Sequence, residues 1–507
     1  MTTPHDKIIS IRDLAFMVPE IKKKQRVVHC HGVFDLIHVG HIKYLRQAKQ
    51  MGDILIVTIT PDRFIKKGPG RPAFTSDLRA DVLSALDVVD YVAINDWPTA
   101  VEAINLLKPD YYVKGPDYRD NELDITGAIK LEREAVESVG GEIRYTDDVT
   151  FSSTSLINQY FRRLTPIQQD YLETLKQKYS TKDILSMIDS LQNITVTLIG
   201  EAIIDEYIFC NTVGKSGKEP MLVTQRLYSE KYAGGIIAVA NHLSEFCKSI
   251  QVITYFGDRD SHQGFISDHI SENVKIDPVI KANSPTILKT RFIDSYTRAK
   301  TLGVYDINDE LLNQDEEALI LEKLDQIPLD TGLVLVTDYG HGLVTPKIVE
   351  ALEKRSKFLA VNTQLNAFNV GYHTISKYGS ANYICIHEGE IRHDYRNRTD
   401  SVEELITDLQ HKIKTDNILI TRGKSGSIAL SKGQFTSCPA YTTEIVDRVG
   451  AGDALLSITS LCFYAGLPPD VTVFIGNLAA AQKIATMGNK QKLSKVSLMK
   501  SIESLLK

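Results

Sequence analysis

The chain carries two short words near its opposite ends, His38-Val39-Gly40-His41 and Gly450-Ala451-Gly452-Asp453, and each stands where an apolar strand pattern gives way to a helix pattern. A helix start leaves backbone N–H groups without intrahelical partners, and those groups together with the helix dipole favour a bound anion. A chain of 507 residues is too long for one core, and the two turns leave room between them for two folds. They call for two α/β units, each with a phosphate-type site at a strand-to-helix junction, and 507 residues suffice for both.

The run from Arg26 to His31 predicts a strand, followed by a helix from His41 to Met51 with Ile42, Leu45 and Ala48 on one face and a second strand from Ile54 to Thr60. This βαβ unit opens a parallel, helix-covered sheet that continues at Tyr91–Asn95, Tyr111–Lys114 and Glu142–Tyr145. A first domain over 1–163 is expected, then a polar helical connector over 164–190 with Pro166 in its first turn, then a second α/β domain over 191–507. Its strands are predicted at Ile194–Ile199, Ile250–Tyr255, Leu333–Thr337, Phe358–Asn362, Tyr383–Ile386 and Asn417–Thr421. The stretch Ile208–Tyr232, rich in β-type residues with turn signals at Gly214, Gly217 and Pro220, predicts a small β flap.

Composition narrows the function classes. With 43% hydrophobic and 24% charged residues and no apolar run near the roughly 20 residues that span a bilayer, no membrane segment is expected. A net charge of -6 offers no basic excess for nucleic acid. Residues Met1 to Gln25 lack the apolar core of a signal peptide, so a cytoplasmic location is expected. Cys30, Cys210, Cys247, Cys385, Cys438 and Cys462 form no CxxC pair, which argues against a zinc site or a disulfide framework and for reduced, mostly buried thiols.

At the first word, His38 and His41 stand three apart at a helix start, on nearly the same face, where imidazoles can donate to a triphosphate as charge moves onto departing pyrophosphate. The full run from Gly32 through Leu45 resembles the signature of the cytidylyltransferase-like nucleotidyltransferases. The likeness continues through Lys67-Gly68, Arg71-Pro72, Arg79, Val113–Tyr118 and Phe151–Ile157. The resemblance implies a Rossmann-like fold and transfer of a nucleoside monophosphate to a sugar or polyol phosphate. His38, His41 and Lys67 would be catalytic, Gly32, Phe34, Asp35, Gly40, Lys114, Ser153 and Thr154 would line the nucleotide, and Arg79 would clamp the acceptor. For Asp35 a turn-stabilising role is an equal reading.

At the second word, small residues let backbone N–H groups approach a phosphoryl group, and Asp453 at the helix start is placed to accept the proton of an attacking hydroxyl. Asp447–Asp453 resembles the second signature of the ribokinase-like (PfkB) carbohydrate kinases, and Gly234-Gly235 through Asn241 the first. The resemblance extends to Gly200–Asp205, to Pro285-Thr286 with Lys289-Thr290-Arg291, to Thr337–Gly342 and to Thr421–Gly426. It implies that Gly450, Ala451, Gly452, Gly423 and Gly426 meet the nucleotide and that Asp205, Gly234, Gly235, Asn241 and Arg291 meet the sugar. Glu390 is a weak candidate metal ligand. Ala238, Arg448 and His387 depart from the family's usual residues, which leaves the activity of this half open.

Together the halves resemble fusions of a heptose-phosphate kinase with a heptose-1-phosphate adenylyltransferase, in reversed order. A polyol-phosphate cytidylyltransferase with a divergent or regulatory kinase half stays open. Magnesium and ATP are the expected cofactors, with CTP an alternative at the N-terminal site. The expected partners are small nucleotides and sugar or polyol phosphates, and a homodimer through the flap near Tyr207 to Tyr232 is the expected assembly.

Overall fold

The computed structural model describes residues 4–65, 72–116, 128–147, 164–327, 332–442 and 445–506. The chain divides into two compact units, one of Met1–Pro166 with Met499–Lys507 and one of Ile167–Leu498.

In the first unit, strands β1 (Val27–Gly32), β2 (Ile54–Ile59), β3 (Tyr91–Ile94), β4 (Tyr111–Lys114) and β5 (Glu142–Tyr145) form a parallel sheet in the order β3-β2-β1-β4-β5. The order reverses at β1, with β2 on one side and β4 on the other. A crevice at such a switch is where open α/β sheets bind ligands. Leu45 and Ala48 of the helix Val39–Gln50 are buried against Val28, Cys30, Leu55 and Val57, the face that the sequence pattern predicts. A further helix, Ile11–Lys22, packs Ile11, Leu14 and Val18 with Val27, Ile56, Ala103 and Leu107. Sequence reasoning gave that stretch no element, although Ser10, which accepts from Asp13 N, marks its start and the 11-14-18 spacing its buried face.

Among its described residues the second unit has thirteen strands: β6 (Thr195–Gly200), β7 (Ala202–Lys215), β8 (Leu222–Gly234), β9 (Ser249–Arg259), β10 (Val274–Pro285), β11 (Ile287–Asp294), β12 (Lys300–Asp306), β13 (Leu333–Asp338), β14 (Phe358–Thr363), β15 (Tyr383–His387), β16 (Asn417–Thr421), β17 (Ser427–Ser431) and β18 (Gln434–Cys438). Nine of them make the main sheet, in the order β10-β9-β6-β13-β14-β15-β16-β17-β18. It is parallel from β10 to β16 and ends in antiparallel β17 and β18. Its core runs from Ile199 and Ile253 through Val334, Val336 and Val361 to Ile384, Ile418 and Ile420. Strands buried on both faces read as unbroken apolar runs, which is why the β6, β13, β15 and β16 positions were legible.

The flap is larger than the sequence suggests. It is a four-stranded sheet, β12-β11-β7-β8, in which β11 and β12 add to the β7–β8 hairpin. Lys289, Arg291 and Lys300 interrupt the apolar pattern of β11 and β12, so these strands were not foreseen. The stretch 164–190 is two helices, Pro166–Lys178 and Thr181–Ser190. Tyr171 Oη donates to Asp470 O at 2.7 Å and Lys178 pairs with Asp470 at 2.9 Å, which fastens the first of them within the second unit. Among the described residues no helix is long and apolar enough to cross a membrane. All six cysteines are buried and free.

Candidate active sites

In the first unit β1 ends at Gly32 and the chain turns through Phe34, which adopts a left-handed φ of 49°, into the helix that His38 caps. Gly40 N donates to His38 Nδ1 at 3.1 Å, so the neutral ring carries its proton on Nε2. Burial lowers the His38 pKa from its ordinary value, which favours that neutral form. The His38 and His41 ring centroids lie 4.1 Å apart, and the Phe34 ring meets His41 edge-on at 5.4 Å. The structure therefore brings Gly32, Phe34, His38, Gly40 and His41 to one helix start at the strand-order switch. Tyr44 Oη donates to Val113 O at 2.6 Å and ties this helix to β4.

Three residues expected at this site do other work. Asp35 Oδ1 accepts from Ala73 N at 2.6 Å and Phe74 N at 3.1 Å, the turn-holding role of its two readings. Arg79 is 1% exposed and donates to Phe74 O, Val33 O, Thr60 O and Asp62 Oδ1. Its guanidinium is thus turned inward onto the loops that follow β1 and β2, and does not stand open to an acceptor as expected. Lys114 forms a buried ion pair with Glu132 at 2.7 Å. Lys67, Ser153 and Thr154 lie outside the described residues.

Beside this site runs a row of polar groups that the motifs did not disclose. His29 Nε2 and His31 Nδ1 both contact Thr58 Oγ1 at 2.8 Å, and His31 Nε2 contacts Thr60 Oγ1 at 3.1 Å. The signal was the alternation of His29 with His31 on β1 opposite Thr58 with Thr60 on β2. Burial, with Lys114 nearby, lowers the His29 pKa to about 3 and drives His31 well below its ordinary value, so both rings are neutral.

In the second unit Gly450, with φ 82°, turns the chain into the helix Ala451–Tyr464, and Asp453 stands in its first turn. Tyr339 Oη donates to Asp453 Oδ1 at 3.2 Å. Burial raises the Asp453 pKa to about 6; the Tyr339 bond opposes this, Asp205 adds to it, and Lys483 and Lys289 oppose it. Asp205 on β7 is buried, accepts from Arg291 Nη1 at 2.5 Å and from Asn489 Nδ2 at 3.3 Å, and faces Gly234, where a Cβ would collide with its Oδ2. Lys289 is buried near Asp205 and Asp453, and burial lowers its pKa. Gly235, at φ 53°, starts the helix Gly235–Leu243.

Asn241 and Glu390 are placed differently from expectation. Asn241 donates to His269 O and accepts from Ser271 N, so it pins the 269–271 turn. Glu390 accepts from Leu365 N at 2.9 Å and His387 N at 2.6 Å, capping its own helix with both carboxylate oxygens engaged. Among the described residues no group of three or more His, Cys, Asp or Glu side chains could hold a metal ion. Gly423 and Gly426, both with positive φ, form the turn after β16, and Arg422 in it pairs with Glu388.

Comparison with known proteins places both units. A cytidylyltransferase-like family model matches residues 29–160, and the model of the pfkB family carbohydrate kinases matches residues 193–495, more than half of the chain. The chain belongs to the pfkB family of carbohydrate kinases. Its first unit is cytidylyltransferase-like. Among curated relatives, a "Bifunctional protein HldE" of Syntrophotalea carbinolica is 38% identical over 157 residues, 30% of this chain and 31% of that protein. One of Campylobacter concisus is 42% identical over 130 residues, 25% of this chain and 27% of that protein. The chain thus spans about a third or less of the length of these relatives. The pfkB unit shares its fold with phosphofructokinase-2 of Escherichia coli solved in complex with potassium, at TM-score 0.51 and 15% identity over 62% of this chain and 100% of that one.

Around the glycine turn of this pfkB unit, Asp447, the first residue of the signature, gathers partners that the motif does not contain. Asp447, buried, accepts from Lys300 Nζ at 2.6 Å, Tyr207 Oη at 2.8 Å, Gly488 N at 3.0 Å and Val449 N at 3.1 Å. Lys300 comes from the flap and Gly488 from the loop after the helix Pro469–Ile484. The four-stranded sheet brings Tyr207 and Lys300 to the turn.

Proposed function

We propose that the chain activates a sugar of the heptose type in two steps, with residues 191–507 as kinase and residues 1–163 as nucleotidyltransferase. In the first step Asp453 takes the proton of a sugar hydroxyl, the hydroxyl oxygen bonds to the γ-phosphorus of ATP, and the bond to the β-phosphate oxygen breaks to release ADP. The amides at Gly450-Ala451-Gly452 receive the migrating phosphoryl charge, while Asp205 accepts from the sugar and Arg291 holds Asp205 in place. In the second step an oxygen of the sugar 1-phosphate bonds to the α-phosphorus of a nucleoside triphosphate and pyrophosphate departs. His38 and His41 donate to its oxygens, and the nucleophile, already ionised, needs no base. Magnesium carried on the nucleotide would neutralise its charge.

The observation that carries this reading is the pair of built helix starts: the imidazoles of His38 and His41 4.1 Å apart at one, and the Asp453 carboxyl held by Tyr339 at the other. The likeness of the first unit to bifunctional HldE proteins supports two activities on one polypeptide. The test is a screen of purified chain with four nucleoside triphosphates and a panel of sugar phosphates, following ADP and pyrophosphate separately. ADP with a heptose phosphate and pyrophosphate with its 1-phosphate are expected. Pyrophosphate with glycerol or ribitol phosphate and CTP, without ADP from any sugar, would overturn the heptose reading. We also propose a homodimer through the flap, whose Val213, Leu222, Leu227 and Tyr228 are exposed; a monomer in sedimentation would refute it.

A further inference from the structure

Lys483 is 2% exposed, the second-largest charged side chain among those fully buried. An unpaired buried ammonium is costly, so its surroundings should explain it. Its Nζ donates to Gly488 O, which is its only hydrogen bond among the described residues. A Cβ built at Gly450 would lie 3.0 Å from Lys483 Cε and 2.5 Å from Asn489 Oδ1, so the side chain runs directly beneath the turn that opens the Asp453 helix. Burial lowers its pKa from the ordinary value; the charges of Asp447, Asp453 and Asp205 oppose that and Lys300 adds to it, while Lys483 in turn acts on His242. None of these carboxylates forms an ion pair with it within 4 Å among the described residues, and Asp447 is already paired with Lys300. An ammonium has three donors. One is used here, and two remain at a helix start whose amides favour an anion.

We infer that Lys483 is the resident cation of the second site: its ammonium, anchored on Gly488 O beneath the Gly450 turn, binds the phosphate chain of the nucleotide. The inference rests on the kinase reading of this site and adds a phosphate-binding side chain that the glycine-turn motif does not contain. Held by a backbone carbonyl and screened from water, the charge acts through a low local dielectric, where it counts for more than a surface lysine would. No ion from solution is needed to supply it.

The test measures MgATP binding by calorimetry in the full chain carrying His38→Ala and His41→Ala, which empties the first site of nucleotide. The buffer cation is tetramethylammonium, too large to enter the cavity. Lys483→Ala in that background should weaken MgATP binding by roughly tenfold or more, the scale of one charge-assisted hydrogen bond. Methylammonium or potassium, small enough to occupy the space left by the side chain, should restore most of the loss in Lys483→Ala and change the parent by less than about twofold, since its place there is filled. Lys483→Met, which fills the cavity without charge, should be weak and not rescued. A merely structural lysine would give no rescue. Equal affinity of parent and Lys483→Ala, or a parent that needs the small cation, would overturn the inference. If Lys483→Ala does not fold, Lys483→Met and the cation response of the parent decide. No MgATP binding by a folded parent would overturn the kinase reading and this inference with it.

Discussion

Gly234 and the Asp205 carboxylate compete for the same space: a Cβ at Gly234 would fall on Asp205 Oδ2. The carboxylate is fixed from its other sides by Arg291 Nη1 at 2.5 Å and Asn489 Nδ2 at 3.3 Å, so it cannot yield without losing a bond. Gly234→Ala should therefore displace Asp205 and lower kcat/KM for the sugar by at least tenfold, with a stability loss of about 1–3 kcal/mol from overpacking. Affinity for MgATP should stay near that of the parent. Steady-state kinetics and thermal melts check both; an unchanged sugar KM would mean that Asp205 does not touch the acceptor.

Asp453 titrates where activity can report it. Its pKa is raised to about 6, chiefly by burial, with Tyr339, Asp205, Lys483 and Lys289 facing it. As the base it must be ionised, so ADP formation should fall as pH drops through about 6. The stability effect has the opposite sign. Between the ordinary value of 3.8 and about 6 the folded chain holds a proton that the unfolded chain has lost, so stability falls as pH rises through that window. Asp453→Asn should abolish ADP formation while melting at or above the parent temperature at pH 8. A lower melting temperature would show that the carboxylate stabilises the fold.

The two helix starts should fail independently. His41→Ala removes a donor to the departing pyrophosphate and should cut pyrophosphate release by about a hundredfold or more, the scale of one lost transition-state donor. ADP formation should stay at the parent rate. Loss of both activities in a folded variant would mean that the reactions are not separate.

Arg79 is expected to matter for stability before chemistry. It donates to three carbonyls and to Asp62, so Arg79→Met leaves buried acceptors without donors and should cost about 3 kcal/mol or more. Arg79→Lys cannot reproduce the fork and should recover only part. Denaturant titration of the first unit's transition checks this.

Glu390→Gln should leave the magnesium dependence of ADP formation unchanged, because both oxygens of Glu390 accept from backbone amides. The amide side chain keeps one acceptor, so a loss of about 1 kcal/mol is expected. An altered magnesium titration would return Glu390 to the metal.

Much of this architecture was legible because buried parallel strands write themselves as apolar runs: Tyr111–Lys114 and Asn417–Thr421 stand where they were expected. Helix starts were legible through His38 and Gly450. What escaped was whatever depended on distant partners. Arg79 looks like a surface clamp until the carbonyls of Val33 and Thr60 are seen around it. Asn241 looks like a sugar contact until the 269–271 turn closes on it. Lys300 and Lys483 carry no motif at all; their meaning comes from Asp447 and Gly488, which the chain brings to them only by folding.

The polar row along β1 and β2 has a consequence of its own. Thr58 owns one hydroxyl hydrogen and two acceptor lone pairs and stands between two neutral rings, so it can donate to His29 or to His31 but not to both. If it donates to His29, His31 carries its hydrogen on Nδ1 and takes one from Thr60. One of the four tautomer pairs, with both rings offering Thr58 a bare nitrogen, is therefore excluded. The proton position on the buried His29 ring thus limits what the His31 ring can offer to Thr60.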